Sequence, residues 1–245
     1  GNPLYQVTGV DQPTSQGHDR VDALRCGFFP FPTADTSLSS ALKSAHETGN
    51  LTATIDESAY STADVVVIDV ALEISFLDEN PQLQIGSFEQ AVRSVGQRIP
   101  EGALVLVETT VPPGTCEKVV ALTLRDELFR RGMSEHAVHL AHSFERVMPG
   151  DHYLDSITSF WRAYAGLTPE AATVCQDFLS SIIDVERFPL MRLSSMTASE
   201  TAKVMENTYR AVNIGFIDEW TKYAEEMGVD LYEVIDAIRV RPTHS

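Results

Sequence analysis

The run Val65-Val-Val-Ile-Asp-Val70 is continuously apolar up to its aspartate and lacks the alternation of a strand with one wet face. Such a run predicts a strand covered on both faces, as in a parallel sheet flanked by helices. Outward from it, further β-rich runs stand at Tyr5–Val10, Ala103–Val107, Val138–Ala141, Arg162–Ala165 and Val185–Phe188. Helical patterns fall between several of them, at Leu38–Thr48, Ser87–Arg98, Cys116–Arg131 and Pro169–Ile183. Strands alternating with helices predict βαβ units, and so an α/β fold with a doubly wound, mainly parallel sheet. From Thr197 the pattern is helical throughout. Thr197-Ala-Ser-Glu200 reads as a capping box, and no proline interrupts the chain from there to Met227. Gly228 is the stop, Asp230 caps a shorter helix from Leu231 to about Arg239, and Pro242 ends regular structure.

Composition limits the function. The 245 residues are 43% hydrophobic and 22% charged, an ordinary globular balance with enough chain for a sizeable core. A net charge of −17 repels nucleic acid and anionic membrane surfaces, so neither is an expected partner. Cys26, Cys116 and Cys175 are far apart and form no C-x-x-C, which predicts reduced thiols in a cytoplasmic protein. None is read as catalytic, on the ground that none lies beside a histidine or at a helix N-terminus after a ligand-facing strand. The apolar runs are too short to span a bilayer. No two of the fourteen glycines lie closer than six positions, so neither G-x-G-x-x-G nor a P-loop is present in these residues. His136, His139 and His142 tempt a metal reading, but residues three apart on a strand point to opposite faces and cannot share one ion.

Four stretches could carry chemistry. Asp11 ends the first apolar run, where an acidic residue can accept from ribose hydroxyls or simply make a turn. Glu108-Thr-Thr-Val-Pro-Pro-Gly-Thr115 follows a strand end, the position of ligand loops in open α/β sheets, and is also a plausible rigid turn. Ser143-Phe-Glu-Arg-Val-Met-Pro-Gly150 puts a carboxylate that could act as base beside an arginine that could meet an anion; a surface ion pair is the alternative. On the long helix, Lys203, Asn207 and Arg210 share one face. They could hold a substrate hydroxyl and the oxyanion it becomes, or form a solvated stripe.

In order along the chain, these stretches resemble the nucleotide-sugar 6-dehydrogenases, which include the UDP-glucose, GDP-mannose and UDP-N-acetylhexosamine dehydrogenases. The Glu108–Thr115 loop is similar to S-T-V-P-P-G-T, and Ser143–Gly150 to S-P-E-R-V-x-P-G with Phe144 in place of proline. Glu200–Ile214 resembles E-x-x-K-x-x-E-N-x-x-R-x-x-N-I almost throughout. The resemblance implies NAD as cofactor and a four-electron oxidation of a sugar C6 alcohol to a carboxylate, by way of an aldehyde and an enzyme thioester. It implies that Lys203 stabilises the alkoxide and Asn207 hydrogen-bonds to it, that Glu145 activates water and that Thr110 positions that water. Asp11, Val70, Thr110 and Glu145 would face the cofactor, and Arg146, Lys203, Asn207, Arg210 and Arg241 the nucleotide-sugar substrate.

The same resemblance predicts residues 1–192 as a Rossmann-like NAD-binding domain without its first strand and glycine turn. Residues 193–245 become a central helical segment, with helix 197–227 as a homodimer interface. The family's C-terminal UDP-sugar domain and its nucleophilic cysteine are expected outside these residues, which makes the chain a piece of a longer enzyme. The E-R-V-x-P-G form leans toward N-acetylhexosamine substrates. Two other readings stand beside this one: a 3-hydroxyacid or 6-phosphogluconate type dehydrogenase, and a non-catalytic interaction module.

Overall fold

The computed structural model describes residues 4–77, 80–148 and 150–240. The chain divides into two compact units, Gly1–Thr201 and Ala202–Ser245. The first is built on β1 (Val7–Val10), β2 (Leu51–Thr54), β3 (Val65–Ile68), β6 (Leu104–Val107), β7 (His139–His142), β8 (Ala163–Gly166) and β9 (Met191–Arg192). A separate hairpin, β4 (Glu73–Leu77) and β5 (Asn80–Gln84), leaves the end of β3. The helices are α1 (Ser15–Arg25), α2 (Thr36–Thr48), α3 (Gly86–Gly96), α4 (Ala121–Arg130), α5 (Tyr153–Thr158), α6 (Pro169–Ser180), α7 (Met196–Met227) and α8 (Leu231–Arg239). A 3-10 helix spans Glu57–Thr62, and one π-turn, Cys116–Val120, leads into α4.

Among the described residues these strands form a parallel pair, β1-β2, and a separate five-stranded sheet in the order β3-β6-β7-β8-β9. The strands β3, β6 and β7 run parallel, and β8 runs antiparallel to β7. All four residues of β6 are fully buried. One of its faces packs Val105 and Val107 on Phe88, Val92, Val120 and Leu124 of the α3–α4 side. The other packs Leu104 and Leu106 on Cys175 and Leu179 of α6. Helices on both faces make the sheet doubly wound and mainly parallel, as the sequence predicts.

Several local expectations change. The run at Val65 is buried on one face only, because Val67 is 43% exposed while Val66 and Ile68 are covered. Among the described residues β3 is the edge strand of its sheet. The expected strand at Val185–Phe188 is a turn in which Arg187 and Phe188 donate to the Asp184 carbonyl. Pro189 follows with no N–H to give, and pairing with β8 moves to Met191 and Arg192. The capping box does not form. Ser195 caps α7 instead, its Oγ accepting from Ala198 N–H at 3.1 Å, so Glu200 lies beyond the capping position and turns inward. Helix α1, strand β2 and the β4–β5 hairpin carry no apolar periodicity, and the sequence gives no sign of them; Thr14 starts α1 by accepting from Gly17 N–H.

The second unit holds most of α7 and all of α8. Gly228, at φ 68°, ends α7 in the left-handed conformation that glycine adopts without strain, and Asp230 accepts from Tyr232 N–H to cap α8. Among the described residues no helix is long and apolar enough to cross a membrane.

Candidate functional site

The strands β3, β6 and β7 carry their candidate residues at or just past their carboxyl ends, along one edge of the five-stranded sheet, and Asp11 follows the carboxyl end of β1 in the β1-β2 pair. Asp11, after β1, is fixed by Arg20 of α1, whose Nε and Nη2 donate to its two oxygens at 2.7 and 3.0 Å. The α1 backbone lies so close that a Cβ on Gly17 would sit 2.0 Å from the Gln12 carbonyl oxygen and 3.3 Å from Asp11 Oδ1. The half-buried carboxylate retains lone pairs to accept from a ribose hydroxyl beside the arginine, so Asp11 fits a dinucleotide in acceptor chemistry and in its place after a parallel strand.

After β3 and β6 the backbone is tied crosswise. Thr109 is buried, and its Oγ1 donates to the carbonyls of Val70 at 3.0 Å and Ile68 at 3.3 Å. The neighbouring Thr110 is exposed. Glu108 forms a salt bridge with Arg162, with 16% and 7% of their side chains exposed. Arg162 reaches this edge because β8 is antiparallel and begins where β7 ends. Burial raises the Glu108 pKa; Arg162 opposes the shift, and the charges of Asp69 and Glu145 add to it. Asp69 is raised as well, by burial and then by Glu145. Three carboxylates, one from each of three adjacent strand ends, therefore feel one another around a single buried guanidinium.

The loop after β7 is anchored by Phe144, which is buried and lies under the Arg146 guanidinium at 4.9 Å. Arg146 also donates to the Trp161 carbonyl, and Glu145 accepts from Val147 N–H. Met148 N–H donates to Ser156 of α5. His142 is buried, with Nδ1 2.9 Å from Ser199 Oγ, and burial pushes its pKa down to about 4. His139 is half-buried on the same strand and His136 lies in the preceding turn; among the described residues no group of three or more His, Cys, Asp or Glu side chains could hold a metal ion.

Residues 4–163 match the NAD binding domain of the UDP-glucose/GDP-mannose dehydrogenase family, and residues 197–245 match its central domain. The chain belongs to the UDP-glucose/GDP-mannose dehydrogenase family. It is 32% identical over 201 residues to the UDP-N-acetyl-D-mannosamine dehydrogenase of Pyrococcus horikoshii, covering 82% of this chain and 45% of that one. The solved structure of the UDP-D-ManNAc dehydrogenase from that organism superposes with a TM-score of 0.81 at 28% identity, over 98% of this chain and 53% of the other. A GDP-mannose dehydrogenase from Pseudomonas aeruginosa gives 0.83 at 24% identity, over 97% and 52%, and supports the fold. The chain spans about half the length of the curated relatives it matches.

Within this family member the remaining sequence candidates lie on the second unit. On α7, Lys203 is buried, while Asn207 and Arg210 are exposed and Arg210 pairs with Glu206 at 3.7 Å. Arg241 lies outside the described residues. Sequence reasoning missed Asp69, Arg162, His142 and Ser199. The aspartate interrupting an apolar run and the arginine opening another were the available signals. One cysteine statement needs correction: Cys116 does stand at a helix N-terminus after β6. Burial and the neighbouring Glu200 raise its pKa far above the usual thiol range, so the side chain is held as an unreactive thiol.

Two outcomes are expected. Replacing Arg162 with Met strands the buried Glu108 charge and should lower unfolding free energy in urea by about 3–5 kcal/mol, whereas adding Glu108→Leu should recover most of the loss. For His142, the unfolded chain takes up a proton near the ordinary histidine value and the folded chain only near 4, so the wild type loses stability as pH falls from about 6.5 to 4. His142→Asn, neutral throughout, should lack that slope. The difference between the two profiles should approach ~3 kcal/mol, and the raised carboxylates, present in both proteins, cancel from it.

Proposed function

We propose that the whole protein is an NAD-dependent nucleotide-sugar 6-dehydrogenase that oxidises the C6 alcohol of a UDP-hexose or UDP-N-acetylhexosamine to a uronic acid. The observation that carries this reading is the meeting of the Glu108–Thr115 and Ser143–Gly150 loops at one edge of a sheet whose sequence matches the family's NAD binding domain. NAD+ bound there would supply the hydride acceptor, one molecule for each of the two oxidation steps. Asp11 takes the ribose hydroxyls, and Val70, Thr110 and Glu145 line the path toward the nicotinamide. Lys203 stabilises the alkoxide by charge, Asn207 adds a hydrogen bond, and Glu145 accepts the proton of a water that Thr110 holds. Arg146, Arg210 and Arg241 face the substrate's anionic part. The relative named UDP-N-acetyl-D-mannosamine dehydrogenase favours an N-acetylated sugar.

The same proposal includes a cytoplasmic homodimer. The free cysteines fit a reducing compartment. Helix α7 leaves Met205, Tyr209, Val212, Phe216 and Tyr223 exposed, more apolar surface than a lone helix keeps in water.

The test is the complete protein with NAD+ and UDP-glucose, UDP-N-acetylglucosamine, UDP-N-acetylmannosamine or GDP-mannose, followed by NADH absorbance. Turnover of a UDP-N-acetylhexosamine is expected, with Lys203→Ala lowering kcat by roughly a hundredfold or more. Absence of NADH with every sugar overturns the proposal.

A further inference from the structure

We propose that Glu200 of α7 clamps the far end of the loop between Thr109 and Cys116, whose near end is tied to β3, and so acts as a positioning residue for Thr110. The role given to Thr110 rests on the dehydrogenase reading above; the clamp itself rests on geometry. All of its parts belong to the first unit.

At the far end of the loop, the Glu200 carboxylate is completely buried. Its Oε2 accepts from Gly114 N–H at 2.5 Å and its Oε1 from Cys116 N–H at 2.7 Å. Gly114 has φ 91°, a left-handed conformation that turns its N–H toward the carboxylate and that other residues adopt only with strain. The two amides open the helical segment that becomes α4, so the carboxylate meets donors that a helix start leaves without an intrahelical acceptor. At the near end the loop is held by the end of β3, Thr109 N–H donating to the Ile68 carbonyl at 3.3 Å, while Ser199, one residue earlier on α7, meets Nδ1 of His142. Among the described residues the buried Nε2 of that ring has no hydrogen-bond partner, so Ser199 fixes the ring and does not itself hold the loop.

Between these anchors Val111 is buried, and Pro112 and Pro113 hold their backbone angles. The hydroxyls of Thr109 and Thr115 are committed to the carbonyls of Ile68, Val70 and Pro112. Of the three threonines in the loop, Thr110 alone is exposed. A hydroxyl presented from a segment pinned on both sides is preorganised, and loosening either pin spreads it over several positions.

Amide hydrogen exchange on this chain, resolved by residue, tests the clamp directly. In Glu200→Gln, where an NH2 group must face one of the two amides, exchange at Gly114 and Cys116 should rise at least about tenfold while the amides of α3 and α6 stay unchanged. In Ser199→Ala, which leaves the Glu200 carboxylate in place, exchange at Gly114 and Cys116 should stay at the wild-type rate. Wild-type exchange rates at Gly114 and Cys116 in Glu200→Gln overturn the clamp. In the complete protein, Glu200→Gln should lower kcat about tenfold with the KM for NAD+ within about twofold of wild type; an unchanged kcat overturns the positioning role. If the complete wild-type protein makes no NADH, the dehydrogenase reading and the role of Thr110 fall, and the exchange data alone decide the clamp.

Discussion

A buried carboxylate accepting two backbone N–H groups is the constraint on which the carboxyl-end edge of the first unit depends. Out of water, the Glu200 carboxyl group is tolerated because Gly114 and Cys116 aim their amides at it from the start of a helix. The requirement runs both ways. Without the carboxylate those two amides are buried donors lacking an acceptor, and without the left-handed turn at Gly114 the carboxylate loses one partner. Ser195 makes this possible by capping α7 early, which leaves Glu200 free to leave its own helix.

The rest of the edge follows from the strand order. With β6 central and buried on both faces, Glu108 to Thr110 emerge between the ends of β3 and β7, and cross-strand bonds from Thr109 fix their level. The antiparallel β8 then brings a cation, Arg162, to an edge otherwise occupied by carboxylates. The −17 net charge of the chain sits uneasily with the anionic substrate of the proposed function, which under that proposal a few cations near the substrate would offset, since bulk charge governs approach and near charges govern binding.

The sheet was legible because its buried strands are short apolar runs and because helices α2, α3, α4 and α6 have clear apolar faces. Polar α1 and the exposed β4–β5 hairpin left no such trace, since neither is formed by burying a periodic face. The two motif loops were legible as ligand loops from their place after strands. Their fastening was not. Thr197-Ala-Ser-Glu200 satisfies a local rule so well that it hides a non-local one: the glutamate's partners lie more than eighty residues earlier in the chain. Arg162 and Asp69 were hidden for the same reason, because each gains meaning only when strand order sets it beside Glu108.

The most direct test of this account is a double-mutant cycle on the complete protein, combining Glu200→Gln with Thr110→Ala and reading kcat. If Glu200 acts by holding Thr110 in place, its replacement should cost little once the Thr110 hydroxyl is gone, so the double variant should turn over about as fast as Thr110→Ala alone. Losses that multiply independently would contradict the claim that the buried carboxylate acts through this loop.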